Sequence, residues 1–286
     1  MSLNKTGNIQ NFLGCDASYD DANVVIFGAP YDSTTSNRPG TRFGAAAVRG
    51  DSYGLETYSP YQDADLEDKH IYDAGELELS FGRPEPVLDV IENATSQILA
   101  DGKIPLMIGG EHLVMLGAVR AIAKKHPNLR IIHLDAHTDL RQDYMGEPLS
   151  HATVLRRCHD ILGDGCIYQF GIRSGTREEF DWAKKGHTHL QKFNLAGLVE
   201  LVESLGDVPV YFTLDLDVLD PSAFAGTGTP EAGGISFMEL LNVIILLKRL
   251  NVVGCDVVEL APNIDASGVS TAMACKVIRE MLLAIS

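Results

Sequence analysis

The chain has 286 residues, 45% hydrophobic and 22% charged, enough apolar material for one large globular domain with a sizeable core. Its formal net charge is −16, with no basic block and no aromatic residues interleaved with basic ones, which argues against nucleic acid as a partner. No run of about 20 uninterrupted apolar residues is present, and the first residues lack the basic, then apolar, then small pattern of a secretory signal, so the expectation is a cytoplasmic protein that does not enter a membrane.

Strand-like apolar runs alternate with helical patterns from end to end, which predicts an α/β fold with a mostly parallel sheet. In chain order, strands are predicted at 23–27, 104–108, 130–134, 166–170, 210–214 and 252–258. Helices are predicted at 86–101, 112–125, 177–185, 195–205, 237–249 and 271–284. Capping boxes, Thr176 with Glu179 and Ser236 with Glu239, fix two of the helix starts. No repeat, low-complexity tract or linker interrupts this alternation, so residues 1–286 are read as a single domain.

The five cysteines, Cys15, Cys158, Cys166, Cys255 and Cys275, are odd in number and lack Cys-x-x-Cys spacing, so they are read as reduced and mostly buried thiols. The acidic balance is read first as the charge that keeps a soluble chain dispersed, and second as a field that attracts cations.

The chemistry concentrates where apolar runs end. Asp135, His137 and Asp139 follow one run at every second position, and Asp215 and Asp217 end another. Side chains two apart on an extended chain share a side, so each set converges. His112 follows a third run after the Gly109-Gly110 pair, read as allowing a sharp turn there. Ligands in open α/β sheets bind in the crevice beyond the carboxyl ends of the strands, which places all six residues together. Buried unpaired carboxylates each cost several kcal/mol, roughly, so this cluster calls for cations. Imidazole with mostly carboxylate oxygen suits manganese(II) or a similar ion, and four aspartates balance two divalent cations. Two metals roughly 3.5–4 Å apart are the apparatus of hydrolysis. His133, just before the ligand run, is read as pointing the other way, and Asp220, before Pro221, as a turn former.

Read together, Gly109-Gly110-Glu111-His112, the run from His133 to Asp139, and the run from Asp215 to Pro221 resemble the three metal motifs of the ureohydrolase family of arginases and agmatinases. Gly226-Thr227-Gly228-Thr229-Pro230 and Asp256-Val257-Val258-Glu259 extend the likeness over nearly the whole chain from about Val24. The resemblance implies a three-layer α/β/α fold, two Mn2+ ions per subunit, homo-trimers or homo-hexamers, and hydrolysis of a guanidino group to urea and an amine by a metal-bridging hydroxide. It implies one manganese on His112, Asp135, Asp139 and Asp215 and the other on Asp135, His137, Asp215 and Asp217. Asp139 is expected to orient the hydroxide and Glu259 to pair with a guanidinium nitrogen. His151, in Ser150-His151-Ala152-Thr153, resembles the family's loop histidine, expected to exchange protons near its ordinary value of about 6.5.

Arginases follow the Asp-Ala-His-Thr-Asp motif with an asparagine that is absent here, where Leu140-Arg141-Gln142-Asp143-Tyr144 stands instead. That stretch, Gly146-Glu147, and Arg38 to Gly44 look like the agmatinase branch, implying agmatine plus water to putrescine plus urea. Tyr144, Met145 and Glu147 are candidates for contact with the substrate's tail, and Thr229 for a hydrogen bond beside the guanidinium. The rivals are guanidinobutyrase or formiminoglutamase activity, for which Arg141 could supply a cation, arginase activity, a catalytically inactive regulatory homologue, and a zinc-dependent deacetylase.

Overall fold

Runs that are apolar at every position become strands covered on both faces, because a residue pointing either way then meets a hydrophobic layer. A computed structural model describes residues 10–286, so the N-terminal residues on which the expectation of no secretory signal rests lie outside the described residues. In chain order the elements are β1 (Val24–Ala29), α1 (Gly44–Asp51), the short paired strands β2 (Tyr58–Ser59) and β3 (Ala64–Asp65), β4 (Ile71–Glu76), α2 (Pro84–Ala100), β5 (Ile104–Gly109), α3 (Met115–Lys125), β6 (Arg130–Leu134) and α4 (Val154–Leu162). There follow β7 (Ile167–Ile172), α5 (Arg177–Trp182), β8 (His189–Lys192), α6 (Leu198–Leu205), β9 (Pro209–Asp215), α7 (Phe237–Leu246), β10 (Asn251–Val258) and α8 (Val269–Ile285).

Eight strands form one sheet in the order β4-β1-β5-β10-β9-β6-β7-β8, with every neighbouring pair parallel. One face packs on α1, α6, α7 and α8 through residues such as Val48, Val202, Ile244 and Ile278. The other packs on α2, α3 and α4 through Ile91, Val119 and Leu155. This is the expected three-layer α/β/α fold. Both predicted capping boxes are formed.

Each predicted element is present with its ends shifted by a few residues. The predicted 177–185 helix changes character after Trp182, where a wider turn over Ala183–His187 ends at Gly186 with φ of 95°. Unpredicted elements lie mainly at the periphery. β4 and β8 are the two sheet edges; β8 is buried at no position, and the apolar run of β4 is broken by the buried Asp73, which pairs with Arg49. α4 buries only Val154, Leu155 and Cys158 within a charged sequence. All five cysteines are free, and all but the half-buried Cys166 are buried. Among the described residues no helix is long and apolar enough to cross a membrane.

The fold aligns the carboxyl ends of β5, β10, β9 and β6, four adjacent central strands. At the end of β5 the glycine pair serves a different purpose from the sharp turn expected. Neither has positive φ. A Cβ on Gly109 would lie 2.5 Å from Val258 Cγ1, and one on Gly110 only 1.9 Å from the Tyr31 carbonyl oxygen. Close approach of backbone to neighbour, not turn geometry, demands glycine here. Because the clash at Gly110 is with backbone, Gly110→Ala is expected to destabilise by about 3 kcal/mol, the upper end for overpacking, and to lower Tm by roughly 5–10 °C. A thermal melt superimposable on that of the parent chain would refute this account.

Candidate metal centre

The three strand ends bring their six side chains into one buried cluster. His112 Nδ1 lies 3.1 Å from Asp135 Oδ2, 3.2 Å from Asp139 Oδ2 and 3.4 Å from Asp215 Oδ2. His137 Nδ1 lies 2.9 Å from Asp217 Oδ2 and 3.5 Å from Asp135 Oδ1. Asp135 therefore faces His112 with Oδ2 and His137 with Oδ1. Asp220 is not part of this cluster; its carboxylate accepts from Ser222, Gly233 and Gly234 and anchors a loop, as read from the sequence.

Hydrogen bonds assign the His112 ring. Thr213 Oγ1 donates its one hydrogen to Asp256 Oδ1 at 2.7 Å, so it accepts from His112 Nε2 at 2.9 Å. That leaves a bare lone pair on Nδ1, which makes no hydrogen bond although three carboxylates surround it. Asp217 Oδ2 is likewise buried without a hydrogen-bond partner. Lone pairs converging without hydrogens between them repel unless a cation lies at their centre, so the residues fit metal ions. The donor set, two imidazoles and four carboxylates, is compatible with a binuclear centre of borderline-hard ions.

The electrostatics carry the same signature. Burial alone would lower His112 and His137, but the carboxylates around them override it and raise both, so without metal a proton on each ring fills the place that a cation would take from the neutral imidazole. Burial and the charge of Asp135 push the Asp139 carboxyl up to about 7 in the metal-free chain. Asp215 is raised well above the carboxylate range by burial, then by Asp217 and Asp135. This repulsion is what bound cations relieve.

Backbone geometry fixes the ligands further. Asp135 Oδ1 accepts from His137 N at 2.6 Å, Asp215 Oδ1 from Asp217 N at 2.8 Å, and Asp217 Oδ1 from Ala136 N at 3.1 Å. Asp139 and Glu259 have left-handed backbones, φ 53° and 66°, rare for residues other than glycine. Such strain of about 1–3 kcal/mol each persists where the surroundings over-determine it, typically at functional sites. Glu259 follows β10, lines the cavity, and accepts from His112 N at 2.8 Å through Oε1. Burial, then Glu111, raises its carboxyl well above the usual range.

A cavity of about 290 Å³ opens onto the cluster, lined by His137, Asp139, Asp215, Glu259, His151, Tyr144, Thr229 and Arg141 among others. Thr229 and Tyr144 are both on its wall. Arg38 donates to the carbonyls of Thr227 and Gly228, so its segment orders the loop bearing Thr229. Glu147 does not line the cavity; its carboxylate accepts from Leu149 N while its backbone pairs with Tyr144. Met145 is 93% exposed at the tip of that turn and also misses the cavity.

His133 is a second correction. It shares parity with Asp135 and therefore its side, and its Nε2 lies 2.8 Å from Asp135 Oδ2. The Gln169 amide donates to His133 Nδ1 at 3.1 Å, so Nε2 carries the hydrogen and donates to Asp135. His151 is the third. It meets Thr34 Oγ1 through its backbone N–H and Ser36 Oγ through Nε2, both at 3.1 Å, but burial lowers its pKa to about 4. The ring is thus neutral at working pH and does not titrate near 6.5.

Glu111, quoted in a motif but given no role by the sequence reading, is fully buried and accepts from Thr34 N at 2.9 Å, Thr34 Oγ1 at 2.5 Å and Thr35 Oγ1 at 3.1 Å. Burial pushes it up to about 7. It ties the loop that touches His151 to the strand end that bears His112. A lone Glu between two glycines and a histidine carries no periodic signal, which is why spacing could not assign it.

The Arginase family model matches residues 22–284. The chain is 50% identical over 275 residues to the agmatinase of Bacillus anthracis, covering 95% of each chain. It is 32% identical over 282 residues to the guanidinobutyrase of Pseudomonas aeruginosa, covering 93% of this chain and 87% of the relative. The crystal structure of the agmatine ureohydrolase of Thermoplasma volcanium superposes with a TM-score of 0.88 at 34% identity, covering 98% of this chain and 95% of that one.

Two outcomes are expected from this geometry. Thr213→Val removes the acceptor that fixes the His112 ring, and metal affinity, measured by titrating the chelated protein, should fall about 10–100-fold; unchanged affinity would show the ring is held otherwise. In a histidine NMR titration of the folded protein, His151 should stay neutral as pH falls from 8 to roughly 5, since a lowered pKa keeps the proton off until the acid value is approached. A midpoint near 6.5 would contradict the burial argument.

Proposed function

The chain belongs to the arginase family, and on that premise we propose that it is a manganese-dependent agmatinase that hydrolyses agmatine to putrescine and urea. The observation that carries the hydrolytic reading is the bare His112 Nδ1 lone pair among Asp135, Asp139 and Asp215, with Glu259 beside it at the cavity wall. The choice of agmatine is supported by the 50% identity to an agmatinase over 95% of both chains and by the absence of the asparagine that arginases carry after the ligand run.

In this reading His112, Asp135, Asp139 and Asp215 hold one Mn2+ and Asp135, His137, Asp215 and Asp217 the other. When bound, the two ions supply an ionised water as nucleophile and stabilise negative charge as Lewis acids. Glu259 binds the guanidinium: Oε1 is committed to His112 N–H, and the second oxygen accepts a substrate N–H, fixing the planar carbon in line for attack. Asp139 takes the two protons of the attacking water in turn and passes both to the departing amine nitrogen as the C–N bond breaks, so that end of putrescine leaves as an ammonium and urea leaves neutral. His151, held neutral, borders the cavity through its contacts with Thr34 and Ser36 and is not a stored acid. Thr229 and Tyr144 border the substrate. The expected assembly is a homo-trimer or homo-hexamer in the cytoplasm.

Urea release after preincubation with Mn2+, measured in parallel from agmatine, arginine and 4-guanidinobutyrate, tests the substrate. Agmatine is expected to give the highest kcat/KM; faster turnover of 4-guanidinobutyrate would replace agmatine as the substrate. Asp135→Asn should abolish urea release while leaving Tm nearly unchanged or higher in chelator, because it removes a shared ligand and one buried charge. Turnover like that of the parent would sink the binuclear assignment. For Glu259→Gln, which keeps shape but loses charge, kcat/KM should drop by about 100-fold or more, in line with loss of a positioned charge.

A further inference from the structure

At the opposite edge of the sheet, before the amino ends of β7 and β8, a second group of metal-type donors comes together. His159 sits on the last turn of α4, Asp164 in the turn that follows, and His187 at the end of the wide turn after α5. Left-handed glycines at 163, 165 and 186 fold these three segments onto one another, and Gly165 N donates to the His187 carbonyl. Nothing in the proposed hydrolysis uses this corner.

The geometry is unusual for a surface ion pair. His159 Nε2 and His187 Nδ1 both approach the same oxygen, Asp164 Oδ1, each at 2.7 Å. Two imidazoles paired with one carboxylate ordinarily have two oxygens to share; here both nitrogens crowd one. The rings are also pre-oriented. His187 stacks on Trp182 with centroids 4.4 Å apart and 19° between planes, and His159 stands edge-to-face to the same indole at 4.7 Å. His159 Nδ1 is buried with no hydrogen-bond partner, so Nε2 is the atom through which that ring makes its polar contact.

We propose that His159, Asp164 and His187 form a separate binding site for one late transition-metal ion, of the zinc or copper class. Two imidazole nitrogens and one carboxylate oxygen make a three-ligand set that leaves the solvent side open for water. Metal–ligand bonds of about 2.0–2.1 Å at tetrahedral angles put donor atoms roughly 3.3 Å apart. The present contacts would open by about 0.6 Å to accept the ion, which the exposed Asp164 side chain allows by a small rotation. The chemistry differs from that of the aspartate-rich cluster: two of three donors are imidazoles, so this corner prefers zinc or copper where the other suits manganese. Bound there, the ion would pin the turn after α4 to the turn after α5.

Trp182 is the chain's one tryptophan and touches both imidazoles, so it reports directly on the site. Protein presaturated with Mn2+ is titrated with Cu2+ while indole fluorescence is recorded, and with Zn2+ while Tm is recorded. The same titrations are run on Asp164→Asn and His187→Gln, both at partly exposed positions outside the aspartate-rich cluster. Saturable quenching at one Cu2+ per chain is expected, with a midpoint raised at least tenfold in both variants, and a Zn2+-dependent rise in Tm that both variants lose. Urea release by both variants in Mn2+ should match the parent, which separates this site from the hydrolytic one. No quenching of the parent up to millimolar Cu2+, or midpoints in the variants within tenfold of the parent's, would overturn the proposal.

Discussion

Four aspartates driven into the carboxyl edge of a parallel sheet are the constraint on which the site depends. Burying a carboxylate costs several kcal/mol, roughly, unless its charge is met. Here backbone N–H groups of Ala136, His137 and Asp217 meet part of it, and His133 meets part of the charge on Asp135. The remainder is left over by design of the hydrogen-bond network: Thr213 and Asp256 commit the His112 proton to the far side of its ring, so the near side faces the carboxylates bare. Tyr211 donates to the other oxygen of Asp256, which closes that network away from the cavity. The chain thus builds a cluster compatible with a pair of cations, and its hydrogen bonds hold the side chains in place without them.

Holding them takes rigid surroundings. The central strands are buried on both faces, so the ends of β5, β10, β9 and β6 cannot drift relative to one another without disturbing two hydrophobic layers. The loop that carries Asp217 is clamped from behind by Arg173, which donates to the carbonyls of Asp217 and Leu219 and ties them to that of Glu231. Left-handed Asp139 and Glu259 then place their carboxylates where relaxed backbone would not. Such pre-positioning is the condition for turning a diffusing water and a planar cation into reacting neighbours.

Much of this was legible in the sequence because it depends on parity and on where apolar runs stop. Asp135 and His137 converge as alternation beyond a buried strand requires, whereas Asp139 reaches the cluster through a left-handed backbone and Asp217 from a short 3-10 turn over Leu216–Val218 that caps on Asp215. His133, two residues before Asp135, obeys the same alternation and lies on the same side of the strand. Other features lay beyond reach. β8 is a partly exposed edge, and β4 is interrupted by Asp73, whose buried charge answers to Arg49, so neither shows a continuous apolar run. Glycine at 109 and 110 answers to Val258 and to the Tyr31 carbonyl, partners distant in sequence. Glu111 gains its role from Thr34 and Thr35 across a tertiary contact. The value of about 4 for His151 comes from burial, which a loop sequence does not declare.

The far end of the cavity bears on the choice between an ammonium and a carboxylate tail. Arg141 is the cation that a carboxylate would seek there, yet it already lies over the Tyr144 ring at 4.8 Å and 3.8 Å from Glu179. Glu179 is itself buried and committed, accepting from Thr138, Leu140 N and Thr176, so it stays in place and keeps Arg141 drawn toward it. A carboxylate tail must therefore compete with a fixed anion for a partly engaged guanidinium, while paying its own desolvation. An ammonium tail meets hydroxyl acceptors instead, from Ser36, Ser174 and Thr176 on the same wall. Discrimination would then rest less on attraction for agmatine than on the cost imposed on its acidic analogues, the asymmetry by which a pocket rejects what it cannot pair.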